Sequence, residues 1–434
     1  PMVAVEEGGR VAHAAIALCV MYWLVLSYPF TLAITCLGTL LITVLIYLKT
    51  LFRTRDCLAR LTCRDSTLSH HVTAHCHAFR RALRLPVWAR NSHVQSVMGL
   101  LAREAGVEFR REYLQLSDGG LVALDWLSGC QYVPHGRPIL MILPDLPASA
   151  LQMGALCREA LKLGLKAVVV NRRGQGGSLV NTPKLPGYGE ASDLREVVEF
   201  LRQEEATLSA VGVGTGGDLL LSYLGEFGSS AHLSSAVCIS PSYSGEGTMH
   251  TLPAPYSLLY LSHLKRSVLA NAKVFGKTAR KARATWSLRE FDKRVTCPTG
   301  GWDDLGEFWA DNEPLREADE ISVPVLCISS TDDPVSGQKH IPHDLFRALP
   351  NFFLLTLPHG GHAGFRQSLH GLSWAENAAV DFVLAMLTFP SQQHHKHVSC
   401  AHAHTQTDEL MDVMCRTVES EPEVASRTST ETHG

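Results

Sequence analysis

The chain has 434 residues and a formal net charge of -3, with an isoelectric point near 6.8, enough length for one large domain with appendages or for two domains. That near balance gives no electrostatic footprint for nucleic acid, so no nucleic-acid partner is expected. Twelve cysteines without a C-x-x-C pair argue against a disulfide-dense scaffold and for a reduced compartment.

From Val11 to Leu48 the sequence is almost wholly apolar, interrupted by Pro29. As one helix this run would be roughly 57 Å long against roughly 30 Å of hydrocarbon, which suits either one kinked anchor or two halves meeting at the proline. Residues 1-50 are therefore expected as an N-terminal membrane anchor in the endoplasmic reticulum or another internal membrane, with a secretory signal peptide as the competing reading. Lys49, Arg53, Arg55 and Arg60 follow the run while Glu6 and Glu7 precede it, so the positive-inside tendency puts the downstream domain in the cytosol. The lack of any N-x-[ST] sequon fits that side. Residues 51-84 are expected as a juxtamembrane basic linker; Cys57 and Cys63 lie in it as candidates for reversible acylation, with unmodified cysteine the simpler state. His70, His71, His75 and His77 surround Cys76, but no carboxylate or second cysteine completes a metal spacing, so a solvated helix face is expected and no metal.

A globular domain is expected over 85-390. Phe109 to Leu116 and Leu121 to Trp126 alternate around Asp118-Gly119-Gly120 as a hairpin. Apolar strands at Pro138 to Leu143 and Ala167 to Asn171 alternate with helices at Leu151 to Leu163 and Asp193 to Gln203, which predicts an α/β fold with a mostly parallel sheet. The pattern turns irregular between about 241 and 312, as for a cap inserted after a strand. Strands return at Val323 to Ser329 and Phe352 to Leu357, followed by a helix at Ala379 to Leu387. The 391-434 tail, with His394, His395, His397, His402 and His404 around Cys400, has the composition of a disordered segment.

The stretch that organises the domain runs from Leu208 to Tyr223: an apolar strand, a glycine-rich turn and a helix with leucines on one face. Gly212-Val213-Gly214-Thr215-Gly216 fits the G-x-S-x-G nucleophile elbow with glycine where serine should stand. The same letters fit G-x-G-x-x-G as Gly212, Gly214 and Gly217, the signature of a dinucleotide-dependent oxidoreductase. That alternative lacks an opening βαβ unit and the downstream acid for a ribose, so no cofactor is expected. In the elbow reading an acid and a histidine should follow in that order. Asp333 in Thr331-Asp332-Asp333-Pro334 is the expected acid, with Asp332 as its neighbour or stand-in. His362, flanked by Gly360, Gly361 and Gly364, is the expected base in preference to His359.

The joint set of motifs resembles the α/β-hydrolase-domain family that includes the bacterial YheT-type esterases and the membrane-anchored mammalian abhydrolase lipases. The likeness rests on Trp88, Asn91, His93 and Gln95, on Asp118-Gly119-Gly120 with Asp125-Trp126, and on Asn171-Arg172-Arg173-Gly174, Asp193-Leu194-Arg195, Asp332-Asp333-Pro334 and Gly360-Gly361-His362. It implies an α/β-hydrolase fold with a helical cap, and oxyanion donors at the backbone N-H groups of Leu146 and Thr215. In active relatives a serine hydroxyl attacks an ester carbonyl with the histidine as base. Here Gly214 has no side chain, Thr215 carries the possible substitute hydroxyl one position later, and Asp145 stands where the family's oxyanion loop has glycine. A carboxylate there opposes an oxyanion, and loss of the nucleophile leaves roughly 10³ over water. The expected function is therefore a membrane-anchored pseudo-hydrolase that regulates or scaffolds lipid metabolism, with membrane lipid as partner. The rival is an active carboxylesterase or phospholipase using another hydroxyl. One branch of the family further implies restraint of lipolysis and a membrane cyclic-nucleotide phosphodiesterase as protein partner.

Overall fold

The computed structural model describes residues 3-51, 53-130, 134 and 136-389; the tail from 391 lies outside the described residues. The chain divides into two units, Pro1–Leu387 and Thr388–Gly434. Among the described residues the first unit holds every strand and helix, apart from Thr388 at the end of the last helix.

Helix α1 (Val3–Leu51) opens the chain and is continuous through Pro29. Its Ala15–Thr50 stretch is long and apolar enough to cross a membrane. Near the proline, hydroxyls turn inward: Ser27 Oγ donates to the Trp23 carbonyl at 2.7 Å and Thr31 Oγ1 to that of Tyr28 at 3.0 Å, which keeps polar groups satisfied within the helix.

The stretch expected as a basic linker is built into the fold instead. Strand β1 (Thr54–Cys57) pairs antiparallel with β3 (Leu83–Pro86), and between them β2 (Arg60–Cys63) joins the edge of the main sheet. The reason is visible in its apolar residues: Cys57, Leu68, Val72, Leu83 and Leu85 are buried, and a loose linker would leave them in water. His70, His71 and His75 sit on α2 (Thr67–His75), and His77 opens the short turn that follows it. His71 Nε2 lies 2.9 Å from the Ala385 carbonyl, its ring stacks on His75, and His70 pairs with Asp65. His70, His75 and His77 are exposed and His71 is half-buried, as expected for a mostly solvated helix face.

The remaining strands are β4 (Phe109–Gln115), β5 (Leu121–Leu127), β6 (Ile139–Leu143), β7 (Lys166–Asn171), β8 (Leu208–Val213), β9 (Ser235–Ile239), β10 (Val325–Ser330) and β11 (Phe352–Leu357). Nine strands form one sheet in the order β2-β11-β10-β9-β8-β6-β7-β5-β4. From β7 to β11 all neighbouring pairs are parallel; β5 joins β7, β4 joins β5 and β2 joins β11 antiparallel. Strands β6 to β11 are buried on both faces, which is why they read as unbroken apolar runs. The β4-β5 hairpin turns at Asp118-Gly119-Gly120, where Gly119 takes φ +79° at little steric cost.

Helices α3 (Ser92–Leu101), α4 (Gly154–Lys162), α5 (Ser192–Arg202) and α6 (Thr215–Phe227) cover the sheet. On α5 the buried Leu194, Val197, Val198 and Leu201 follow helical spacing and form the stripe that packs inward. Between β9 and β10 the chain forms the helical cap: α7 (Gly245–Thr251), α8 (Ala254–Ala270), α9 (Ala272–Phe275), α10 (Lys277–Ala284), α11 (Leu288–Phe291), α12 (Cys297–Gly300) and α13 (Leu305–Asn312). Its own apolar cluster includes Tyr260, Phe291, Phe308 and Trp309, with Tyr188 stacked on Trp309 at 5.5 Å. Helix α14 (His343–Ala348) precedes β11, and α15 (Trp374–Thr388) closes the domain, starting five residues before its expected position.

Close approach of β8 to α6 is what the glycine spacing serves. A Cβ on Gly212 would lie 2.5 Å from the Gly216 oxygen and 2.6 Å from Gly217 Cα, so Gly212 and Gly217 let strand and helix touch. Gly212→Ala is expected to lower unfolding stability by about 3 kcal/mol, the upper range for overpacking, as measured by urea unfolding.

Candidate active site

Strand β8 lies between β6 and β9 near the middle of the sheet, and its end is the sharpest bend in the site. Gly214 adopts φ +52° and ψ -122° before α6 begins at Thr215, a conformation an L side chain tolerates poorly. The Gly214 N-H donates to Ile239 O, and its carbonyl accepts from the N-H groups of Gly217 and Asp218. A nucleophile at this position would project over the carboxyl ends of the parallel strands. Instead, a Cβ built here meets Asp145 Cγ and Oδ1 at 2.5 Å and His362 Nε2 at 3.0 Å. The Asp145 carboxylate stands in the place the missing side chain would take.

The contacts of that carboxylate define the site. Its Oδ1 accepts the Thr215 backbone N-H and the Thr215 hydroxyl, each at 2.9 Å. Its Oδ2 accepts the Tyr260 hydroxyl at 2.7 Å and faces His362 Nε2 at 3.6 Å, an ion-pair separation longer than a hydrogen bond. On the other side of the ring, His362 Nδ1 lies 3.0 Å from Asp333 Oδ2, while Asp333 Oδ1 is fixed by the N-H groups of Val335 and Ser336. The imidazole is thus held between two buried carboxylates.

Burial by itself lowers the His362 pKa, but Asp333 and Asp145 outweigh it and raise it from 6.5 to about 10. Burial by itself raises Asp145; the His362 charge, the Thr215 N-H and the Tyr260 hydroxyl bring it down from 3.8 to about 2. Both flanking carboxyl groups therefore favour the charged form of the His362 ring. A histidine held protonated at neutral pH has no lone pair for a general base.

Asp333, Gly214 and His362 come together as the sequence order suggests, and Asp332 is engaged elsewhere, accepting from the N-H groups of Gly360 and Gly361 and pairing with His359. The other expected groups are placed differently. The Leu146 N-H donates to Thr215 Oγ1 at 2.9 Å and the Thr215 N-H to Asp145, so both expected oxyanion donors are satisfied from within. The Thr215 hydroxyl also accepts from Arg172 Nη2 at 2.9 Å and makes no hydrogen bond to His362; its position one residue past the bend turns it away from the ring.

The loop carrying His362 is fastened at several points. The His362 N-H donates to Ser96 Oγ, the Ala363 N-H to Ser240 Oγ, and the Ser330 hydroxyl to the Gly361 carbonyl. Asn91 caps α3 through the N-H groups of His93 and Val94. The buried Gln95 amide bonds Ala89 O and Arg366 O while its oxygen accepts the Arg366 N-H, which ties α3 to the histidine loop. Sequence reasoning missed Tyr260, Arg172 and Asp218 as site residues. Asp218 accepts the N-H and hydroxyl of Ser242, and burial pushes it up to about 7. Tyr260 has no sequence signal, since it comes from the cap, 115 residues after the Asp145 it touches. Over the site lies a mostly apolar pocket, with about 790 Å³ of unfilled space that includes open solvent, walled by Val97, Leu100, Met153, Val213, Ile239 and Leu259.

A parallel sheet with an elbow at mid-sheet, an acid after β10 and a histidine after β11 define an α/β-hydrolase-fold protein. The chain belongs to the abhydrolase-domain family of α/β-hydrolases: it is 37% identical to the human protein ABHD15 over 76% of this chain and 74% of that one. It is also 29% identical to mouse phospholipase ABHD3, over 76% of this chain and 84% of that protein. Zebrafish monoacylglycerol lipase ABHD2 is 25% identical over 77% and 84% respectively. No family model matches the chain.

Nitrogen-detected NMR of the His362 ring is expected to show a protonated imidazole throughout the neutral range. Its raised pKa contributes stability that is full below pH 6.5 and lost as pH climbs through about 10. The lowered pKa of Asp145 contributes stability present above pH 3.8 and lost as pH falls toward about 2. Removing one of the two flanking charges with Asp145→Asn is expected to lower the His362 pKa and shrink the alkaline loss, both read by the same titration.

Proposed function

We propose that this chain is a membrane-anchored pseudo-hydrolase, a hydrolase fold turned from catalysis to binding, which acts as a regulator or scaffold in lipid metabolism. The carrying observation is the Asp145 carboxylate, which fills the nucleophile's place and takes up the Thr215 N-H. An ester carbonyl that reached this point would meet a fixed negative charge rather than an attacking oxygen and an open donor. Its base is also neutralised, because His362 is clamped between Asp145 and Asp333. The phospholipase and lipase names of the relatives support lipid as the chemistry of the pocket, and its mostly apolar walls suit acyl chains. On this reading α1 is the anchor, the restraint of lipolysis is exerted through binding, and a protein partner such as a cyclic-nucleotide phosphodiesterase belongs to the same scheme.

The rival, an active esterase using the Thr215 hydroxyl, has no base placed for it: that hydroxyl donates to Asp145 and is held by Arg172 and Leu146.

Fluorophosphonate labelling separates the two. Native protein is expected to remain unlabelled. Gly214→Ser alone is expected to stay inert as well, because the new Cβ runs into Asp145 at 2.5 Å. The double variant Gly214→Ser/Asp145→Gly frees both the space and the imidazole and is expected to gain labelling. Labelling of the native chain that disappears in Thr215→Ala would establish an active enzyme and end the pseudo-hydrolase reading.

A further inference from the structure

One stretch of the cap carries a charge unlike that of the rest of the molecule, although the whole cap from 245 to 312, with ten Lys and Arg against seven Asp and Glu, nets only +3. Residues 254-302 contain ten Lys and Arg against Glu290 and Asp292 alone, a net of +8 in a chain whose total is -3, so the remainder carries -11. Helix α10 shows how the cations are displayed. Its Ala279 and Ala282 are buried in the cap core, which turns Lys277, Arg280 and Lys281, spaced i, i+3 and i+4, to the outside. All three are exposed, as are Arg266, Lys273, Arg283, Arg289, Lys293 and Arg294. Of these, Arg294 pairs with Glu290; the others make no salt bridge among the described residues. A cluster of unpaired like charges repels itself, so this face is at its most stable when something anionic neutralises it.

The same face carries Trp286, 86% exposed. Lys265 Nζ sits 5.7 Å from the centre of its ring and donates to the Arg283 and Thr285 carbonyls, which joins α8 to the segment around Trp286. Leu258, two turns before Lys265 on α8, is 61% exposed. An indole and a leucine open to water among unpaired cations match the requirements of a bilayer interface, where headgroup charge meets Lys and Arg and the ring settles at the polar boundary.

We propose that the outer face of the cap, centred on Lys277, Arg280, Lys281 and Trp286, docks onto the surface of an anionic phospholipid membrane. The occupant is the lipid surface rather than an acidic protein or nucleic acid for two reasons. The aromatic and aliphatic side chains have a use there that a simple polyanion does not offer. The same chain also carries α1, whose Ala15–Thr50 stretch is long and apolar enough to cross a membrane and, if it does, would hold the domain at a bilayer surface. This contact is separate from the chemistry of the active site and holds whether that site is inert or active.

The test uses the full chain in lipid nanodiscs of phosphatidylcholine, with or without phosphatidylserine. The readout is the difference in tryptophan emission between native protein and Trp286→Phe, which isolates this indole from the other six. With phosphatidylserine present, the difference emission is expected to shift to the blue, to be quenched by brominated lipid, and to revert in high salt. Each cation neutralised in Lys277→Ala, Arg280→Ala and Lys281→Ala is expected to lower the docked-to-free ratio roughly 5-fold. The salt reversal in native protein needs no variant to fold. Emission that is the same in both lipids, or a shift produced by polyglutamate or an oligonucleotide but not by phosphatidylserine, would overturn the proposal.

Discussion

The site depends on one electrostatic arrangement, a buried histidine ring between the carboxyl groups of Asp333 and Asp145. A single buried ion pair tends to return little more than its desolvation costs, but here each charge has further partners. Asp333 is bound by two loop N-H groups, and Asp145 by a backbone N-H, the Thr215 hydroxyl and the Tyr260 hydroxyl. Tyr260 comes from the cap, so the charge network also joins cap to sheet. Ordinary triads keep the ring neutral and ready to accept a proton. Here the second carboxylate favours the charged ring instead.

The glycine at 214 and the aspartate at 145 are linked by space. Gly214 leaves a void at the bend that only a small group can enter, and the Asp145 carboxylate is bonded into it. A serine at 214 would collide with that carboxylate, and a glycine at both positions would leave the Thr215 N-H unsatisfied in a buried site. The two residues therefore read as a matched pair.

Much of the fold is legible in the sequence because the parallel strands are buried on both faces. Runs such as Ile139-Leu140-Met141-Ile142-Leu143 have no polar alternation to confuse them. Asp333 and His362 are legible for a different reason: each follows a strand directly, and the glycines around His362 mark a loop that must approach other backbone. A Cβ on Gly361 would lie 2.3 Å from Ser92 O. The participation of residues 51-84 is hidden, because β1, β2 and β3 are four residues each, too short for periodicity, and β2 finds its partner β11 some 290 positions along the chain. The role of Asp145 is only half legible. Its departure from the family pattern is plain, but its contacts depend on Tyr260 and on the φ of Gly214, which no local pattern encodes.

The junction between α1 and the domain has a mechanical meaning. Helix α1 ends at Leu51 and β1 begins at Thr54, so three residue steps, at most about 11 Å of chain, separate them. Directly afterwards, β1 is paired to β3 and β2 is hydrogen-bonded to the sheet edge. With α1 in a bilayer, a joint this short would keep the domain from retreating more than about 11 Å from the end of the helix. Lengthening the joint would widen that reach while every residue of the pocket stayed intact.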